Sequence, residues 1–318
     1  MIQRRDFLAI AIALAGTPVM AQGGRVVRIV VPFAAGAVQD TIARAISNEL
    51  AAALGVTVIV ENRAGAGGTI GTAYVAKAPA DGNTLILAAA SHTINGSLYT
   101  KLPYDPIRDF STIAHLGNAG YAMMVHPDVP AKTAADFIRH AKANPGKLNY
   151  ATAGVGSATH LSMAYFCGLA GIDMVHVPLK STGEAINEVL SGRAQAVIAA
   201  FTGALPFARD ARVRLIGVTT PKRSKHLPEL PTIAESGLPG YEFDSWIGLL
   251  APAGVPRAEV ERINAAVGGL LKTPAILERL DKLGAEPQAM TPDEFTRLLR
   301  ADFERMARVV KTSGARAD

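Results

Sequence analysis

Short runs of β-branched residues alternate with segments of helical periodicity along most of this chain. Residues 26–31 form the first run, and residues 39–54 follow with apolar side chains three or four positions apart. Strands that alternate with helices favour parallel sheets covered by helices on both faces, because each parallel connection needs a crossover. The alternation predicts an α/β fold of the doubly wound class. Further predicted strands are 56–60, 84–88, 122–125, 149–151, 173–177, 196–199 and 214–218, and further predicted helices lie near 71–77, 134–143, 157–170, 182–191, 259–271, 275–283 and 292–309.

The length of the chain, 318 residues, predicts two domains. No low-complexity linker separates them, which fits a chain that crosses twice between two lobes, near 117–121 and near 243–250. Such a double crossing makes a hinge, and a hinge suits a protein that closes over a ligand. The expected division is 22–120 with 247–318 in a discontinuous first lobe, and 121–246 in the second.

Composition excludes several classes of function. The net charge is +5 and aromatic residues make up 6% of the chain, so neither a basic stripe nor a base-stacking platform for nucleic acid is present in the sequence. Cys167 is the single cysteine, which excludes an intramolecular disulfide and a cysteine-cluster metal site. The glycines of residues 65–71 do not have dinucleotide-binding spacing, and no P-loop or His-Glu-x-x-His motif occurs. We expect no cofactor, no metal and no nucleic-acid partner.

Residues 1–21 have the pattern of an export signal. Arg4 and Arg5 precede the apolar run 8–15, and the segment ends in Val19-Met20-Ala21, whose small residues suit signal peptidase. Paired arginines favour the twin-arginine route, although an ordinary secretory signal has the same overall layout. Both routes predict a periplasmic protein that begins near Gln22.

Two loops between a predicted strand and a predicted helix are candidate ligand sites. The first spans 31–40 and the second spans 151–160. In open α/β sheets ligands bind where strands end, and backbone N–H groups at a helix start attract anions. Alternatively, Gly36 only permits a tight turn and Asp40 only stabilises the helix start, while Ser157 acts as an N-cap.

Several collinear motifs resemble the Bug-type solute-binding receptors of tripartite tricarboxylate transporters, over nearly the whole chain after the leader. They are Val31-Pro32-Phe33 with Gly36 and Asp40-x-x-Ala43-Arg44; Val60-Glu61-Asn62-Arg63-x-Gly65-Ala66-Gly67-Gly68; Ala80-Asp81-Gly82-Asn83-Thr84-Leu85; Gly156-Ser157-x-x-His160-Leu161; His176-Val177-Pro178-x-Lys180; Leu227-Pro228-x-x-Pro231-Thr232-x-Ala234-Glu235-x-Gly237; and Trp246-x-Gly248-x-x-Ala251-Pro252.

The resemblance implies a two-lobed periplasmic-binding-protein clamshell, with a mostly parallel sheet in each lobe and two interlobe crossings. It implies that a small carboxylate-bearing metabolite binds between the lobes, often through backbone groups, and that integral-membrane permease subunits are the partners of a monomer. The implied ligand-binding residues are Phe33, Ala34, Ala35, Gly36, Ala37, Asp40, Ser91, His92, Asn95, Gly154, Gly156, Ser157, His160 and Thr202.

The chain departs from the family pattern at three places. Ala35-Gly36-Ala37 stands where the family usually has Pro-Gly-Gly, and Leu179-Lys180-Ser181 stands where it often has Tyr-Lys-Gly. Thr202 stands where an aspartate often follows the phenylalanine that matches Phe201. The loss of that acid favours a less cationic or more neutral ligand.

Three functions can be compared with the features of the sequence: a binding receptor, a hydrolase and a ligand sensor. A binding receptor should have an export signal, paired loops at the ends of strands and no nucleophile–base pair. The sequence has all three features. A periplasmic hydrolase would have to use Ser157 with His160, but three residues apart on one helix is a poor arrangement for a base and its nucleophile. A ligand sensor that docks on a signalling membrane protein needs the same ligand-driven closure as a transport receptor.

Overall fold

The computed structural model describes residues 24–315, and the predicted leader lies outside the described residues. Eleven strands occur in this part of the chain: β1 (Val26–Val31), β2 (Thr57–Asn62), β3 (Thr84–Ala89), β4 (Phe110–Ala119), β5 (Tyr121–Val125), β6 (Asn149–Thr152), β7 (Val175–Pro178), β8 (Ala196–Ala200), β9 (Arg214–Val218), β10 (Ser245–Pro252) and β11 (Ala285–Pro287).

The α-helices of residues 24–315 flank these strands. They are α1 (Val38–Leu54), α2 (Thr69–Ala76), α3 (Ser91–Leu98), α4 (Ala134–Lys142), α5 (Ala158–Ala170), α6 (Thr182–Leu190), α7 (Phe201–Ala204), α8 (Arg257–Leu270), α9 (Pro274–Lys282) and α10 (Pro292–Ser313). Thr291 caps α10 in a capping box with Glu294. None of the helices within residues 24–315 has both the length and the apolar character needed to cross a bilayer.

The strands form two mixed sheets. The first has the order β11-β4-β10-β3-β1-β2 and the second has the order β7-β6-β8-β5-β9. Strand β1 pairs in parallel with β2 and β3, but β10 runs antiparallel to both β3 and β4, and β5 runs antiparallel to β8 and β9. The sheets are therefore mixed, where mostly parallel sheets were expected.

Strands β4 and β10 account for this difference in the first sheet. All eight residues of β10 are buried, so the segment lacks the polar–apolar alternation that marks a strand in sequence. Both strands overlap the predicted crossings. Gly120 alone separates β4 from β5, and a Cβ atom there would lie 2.5 Å from the ring of Phe201. The second crossing lies within the connection from β9 to β10, residues 219–244, and β10 runs antiparallel to β3.

The last helix packs against both halves of the molecule. Phe295 and Leu299 lie in an apolar cluster with Trp246 of the first sheet. Met306 and Val309, farther along α10, join the core of the second sheet together with Leu98 of α3. The apolar core is therefore continuous across the side where the chain crosses between the sheets. The division into 22–120 with 247–318 and 121–246 stays a prediction.

Candidate functional site

A cleft of about 860 Å³ lies between the two sheets. Its first wall comes from the loop between β1 and α1, the starts of α1 and α3, and the end of β10 nearest the crossing. Its second wall comes from the start of α5, the start of α6 and the region of α7. The strand-end loops predicted as ligand sites thus face the same space. The predicted site residues that line it are Phe33, Ala34, Ala35, Gly36, Ala37, Ser91, Ser157 and Thr202.

The loop between β1 and α1 presents backbone to the cleft. Ala34, Ala35 and Gly36 are exposed. Gly36 has a φ of +84°, a backbone conformation that residues other than glycine rarely adopt. Ala37 is the N-cap of α1 and has no side-chain acceptor for the N–H groups of the first turn. The N-terminus of a helix carries a partial positive charge, so this wall favours an anion.

Asp40 lies behind this loop and is not among the residues that line the cleft. Its carboxylate accepts hydrogen bonds from the Gly36 N–H at 2.8 Å and from Arg44 at 3.0 Å. Asn62 Nδ2 also donates to Asp40 Oδ1, at 2.9 Å. Burial raises the pKa of Asp40, but the bonds from Arg44, Gly36 and Asn62 outweigh it and hold the pKa below its usual value. Asp40 therefore stabilises the conformation of the loop between β1 and α1 without lining the cleft.

Ser157 reaches the cleft as the N-cap of α5. Its Oγ accepts from the His160 N–H at 3.2 Å and donates to the Gly154 carbonyl at 2.7 Å. Gly154 and Gly156 have φ values of +104° and +78° and form the turn into the helix. Neither glycine is among the residues that line the cleft.

His160 is buried beneath this turn. Its Nδ1 accepts from the Gly156 N–H at 3.3 Å, and its ring stacks on His176 with the centroids 4.2 Å apart. Burial, together with repulsion from His176, lowers the pKa of His160 to about 4. Ser157 and His160 therefore form a capping contact and not a nucleophile–base pair.

His92 and Asn95 are buried, and neither is among the residues that line the cleft. The His92 Nε2 atom lies 2.7 Å from the Pro106 carbonyl, and burial lowers the pKa of the imidazole to about 4. Asn95 Nδ2 donates to the Gly67 carbonyl at 2.9 Å. Of the three predicted residues on α3, only Ser91 lines the cleft.

Several cleft residues are missing from the sequence-based set. Lys180 is the one charged side chain among the lining residues of the described chain, and no carboxylate lines the cleft. It follows β7, so its position at a strand end could have identified it by the same rule that identified Ser157. The other lining residues outside the predicted set are Val38, Gln39, Thr41, Ala89, Ala119, Tyr121, Ala153, Ala158, Thr159, Ser181, Thr182, Gly183, Ile186, Asn187, Ala200, Gly203, Pro206, Phe207, Ser245, Ile247 and Leu283.

The arrangement suits the binding of a partly apolar anion. Apolar side chains such as Ile186, Phe207 and Leu283 supply much of the surface, while helix starts and Lys180 supply the positive potential. Within residues 24–315, no group of three or more histidine, cysteine, aspartate or glutamate side chains is placed to hold a metal ion.

Known proteins resemble this chain over nearly its full length. Protein BugT of Bordetella pertussis is 32% identical over 315 residues, which cover 97% of each chain. The structure of R. palustris Rpa4515 with adipate has 34% identity and a TM-score of 0.84, and the match covers 91% of this chain and 97% of that one. MatC from Rhodopseudomonas palustris with bound malate has 33% identity and a TM-score of 0.80, with 92% and 100% covered.

These structural matches confirm the predicted two-lobed periplasmic-binding-protein architecture. The family model described as "Tripartite tricarboxylate transporter family receptor" matches residues 42–315. This match confirms the resemblance that the sequence motifs carry. The chain is therefore a member of the tripartite tricarboxylate transporter receptor family, whose relatives include Bug proteins.

Proposed function

We propose that this protein is an extracytoplasmic receptor that captures a small carboxylate-bearing solute in the cleft and delivers it to integral-membrane permease subunits. The observation that carries the proposal is the cleft itself, in which exposed backbone at Ala34, Ala35 and Gly36 faces a wall that includes Lys180, with no carboxylate among the lining residues. Similar structures that contain adipate and malate support a carboxylate as the ligand.

In this proposal one carboxylate of the solute lies at the starts of α1 and α5. The backbone dipoles there are fixed by the fold, so they cost little reorganisation when the anion binds. The apolar part of the solute packs against Ile186, Phe207 and Leu283. Better contacts in a closed state would bias the hinge toward closure. Thr202, where an aspartate is frequent, leaves no acid to bind an ammonium group.

A binding function without catalysis is part of the proposal. Ser157 and His160, the pair that a hydrolase would have to use, are committed to capping α5 and to the Gly156 N–H. Membership of a receptor family supports the same reading. We infer a periplasmic location from the family and from the signal pattern of residues 1–21, and we expect a monomer.

A binding screen tests the proposal. The chain from Gln22 is titrated with adipate, malate and longer or aromatic carboxylates, and with the matching diamides as controls. A ligand at 100 times its Kd stabilises the folded state by about 2.7 kcal/mol, so a saturable rise in Tm is expected with a carboxylate and not with its amide. Equal shifts with acids and amides, or none with any acid, would contradict the proposal.

A further inference from the structure

Asn62 is held close to the ligand loop by the pairing of two strands. Strands β1 and β2 are parallel, and their register places Asn62 opposite Val31, the last residue of β1. The loop that begins after Val31 therefore runs past the side chain of Asn62. Asn62 is not among the residues that line the cleft. In the sequence it is recognisable only as a member of the Val60-Glu61-Asn62-Arg63 motif.

Both polar atoms of the Asn62 amide contact groups that define the loop. Nδ2 donates to the Phe33 carbonyl at 3.0 Å and to Asp40 Oδ1 at 2.9 Å. Oδ1 accepts from Arg44 Nη2 at 3.0 Å. No other residue type of this size offers donors and an acceptor at one planar end.

The loop is thus anchored from behind at two backbone atoms. Asn62 holds the Phe33 carbonyl, and Asp40 holds the Gly36 N–H at 2.8 Å. The residues between these anchors are exposed toward the cleft, and Ala37 offers no side-chain cap. Loss of either anchor leaves the loop free to change shape before the ligand arrives, and ordering it again would reduce the affinity.

We propose that Asn62 is a positioning residue that sets ligand affinity by fixing the loop between β1 and α1 through the Phe33 carbonyl and Asp40. This inference rests on the proposed function for its effect on affinity. Its effect on the loop in the ligand-free protein is independent of which solute binds.

The first test compares Asn62→Leu with Asn264→Leu. Asn264 is a matched control, because its Nδ2 also donates to two backbone carbonyls, of Ile113 and Met290, each at 2.9 Å, and it is not among the cleft-lining residues. Both variants lose partly buried hydrogen bonds, so both should lower Tm. With adipate as the probe, we expect Asn62→Leu to raise Kd about tenfold and Asn264→Leu to leave it within about twofold. Equal changes in Kd would overturn the proposal.

The double variant Asp40→Asn with Asn62→Asp separates the Phe33 anchor from the charge network. The asparagine at position 40 and the aspartate at position 62 can still hydrogen-bond to each other, to Arg44 and to the Gly36 N–H. An aspartate at position 62 cannot donate to the Phe33 carbonyl. We expect Tm to recover relative to Asn62→Asp alone while Kd stays raised. If both Tm and Kd returned to their wild-type values, the charge balance between positions 40 and 62 would account for the affinity, and the proposal would be overturned.

Hydrogen exchange in the ligand-free protein tests the positioning without any solute. We expect the Gly36 and Ala37 amides to exchange at least about tenfold faster in Asn62→Leu and to be unchanged in Asn264→Leu. Unchanged exchange in Asn62→Leu would overturn the positioning role. Faster exchange in a protein that binds no carboxylate would contradict the proposed function and leave the positioning role supported.

Discussion

His160 and His176 stack with their ring centroids 4.2 Å apart and their planes 14° from parallel. Tyr150 extends the stack, with its ring centroid 5.0 Å from that of His176. The stack lies under the turn that leads into α5, so it supports one wall of the cleft without lining it. Two imidazoles at this distance are stable together only when at least one is neutral.

Acid should therefore destabilise the protein. Burial lowers the pKa of His160, helped by His176, and lowers that of His92, each to about 4, below the ordinary value of 6.5. The unfolded chain binds these protons first, so the stabilisation is complete above about pH 6.5 and is lost as the pH falls toward 4. We expect the free energy of unfolding in urea to fall by up to about 3 kcal/mol per histidine over this range. A pH-dependence in His160→Gln as steep as in the wild type would contradict the assignment.

Gly36→Leu should weaken ligand binding much more than folding. A Cβ atom at Gly36 meets nothing within 4 Å, but the residue has a φ of +84° and faces the cleft. Gly240 is a matched control, with a φ of +82°, the same open space and a position outside the lining residues. Both leucine variants should lose about 1 kcal/mol of stability from backbone strain. Calorimetry with a bound carboxylate should show a loss of affinity in Gly36→Leu only, and equal affinities would count against the site.

Lys180→Met should reduce the affinity for carboxylates about threefold at low ionic strength, and the difference should shrink as salt is added. The reason is that Lys180 is the one charged side chain among the cleft-lining residues of the described chain. Lys147→Met, at an exposed position away from the cleft, is the control. A titration at two salt concentrations gives the measurement. A salt-independent loss, or none, would exclude an electrostatic role.

Arg305→Met should destabilise the junction between the two halves. Arg305 Nη2 lies 2.8 Å from Asp244 of the second crossing and 2.8 Å from Asp302 of α10. Asp302 is buried and also accepts from Trp246 Nε1 at 2.8 Å. Removal of the cation leaves the buried Asp302 carboxylate without a charged partner, at a cost of about 3 kcal/mol in the free energy of unfolding.

Arg308→Met provides the comparison for this change, because Arg308 is exposed on the same helix. Its effect should stay within about 0.5 kcal/mol. Urea unfolding of both variants gives the two values. Similar small losses in both would mean that the Arg305 contacts do not stabilise the junction.

Local spacing in the sequence determined the order of most helices and strands and the two loops that meet at the cleft. The runs at 26–31 and 149–151 and the helical segments that follow them are local patterns, so β1, α1, β6 and α5 were predictable with small errors at their ends. The cap at Ser157 follows from chemistry within three residues.

Tertiary structure alone decided which side of each helix faces the ligand and which distant residues support the loops. Asn62 lies beside Phe33 because β1 and β2 pair in one register, and no spacing within either segment encodes that register. His92 and His160 lie away from the cleft because neighbouring layers bury them. Strands β4 and β10 were not predicted, because a strand buried on both faces has no regular alternation of polar and apolar residues. Only long-range pairing in the folded protein identifies the partners of such a strand.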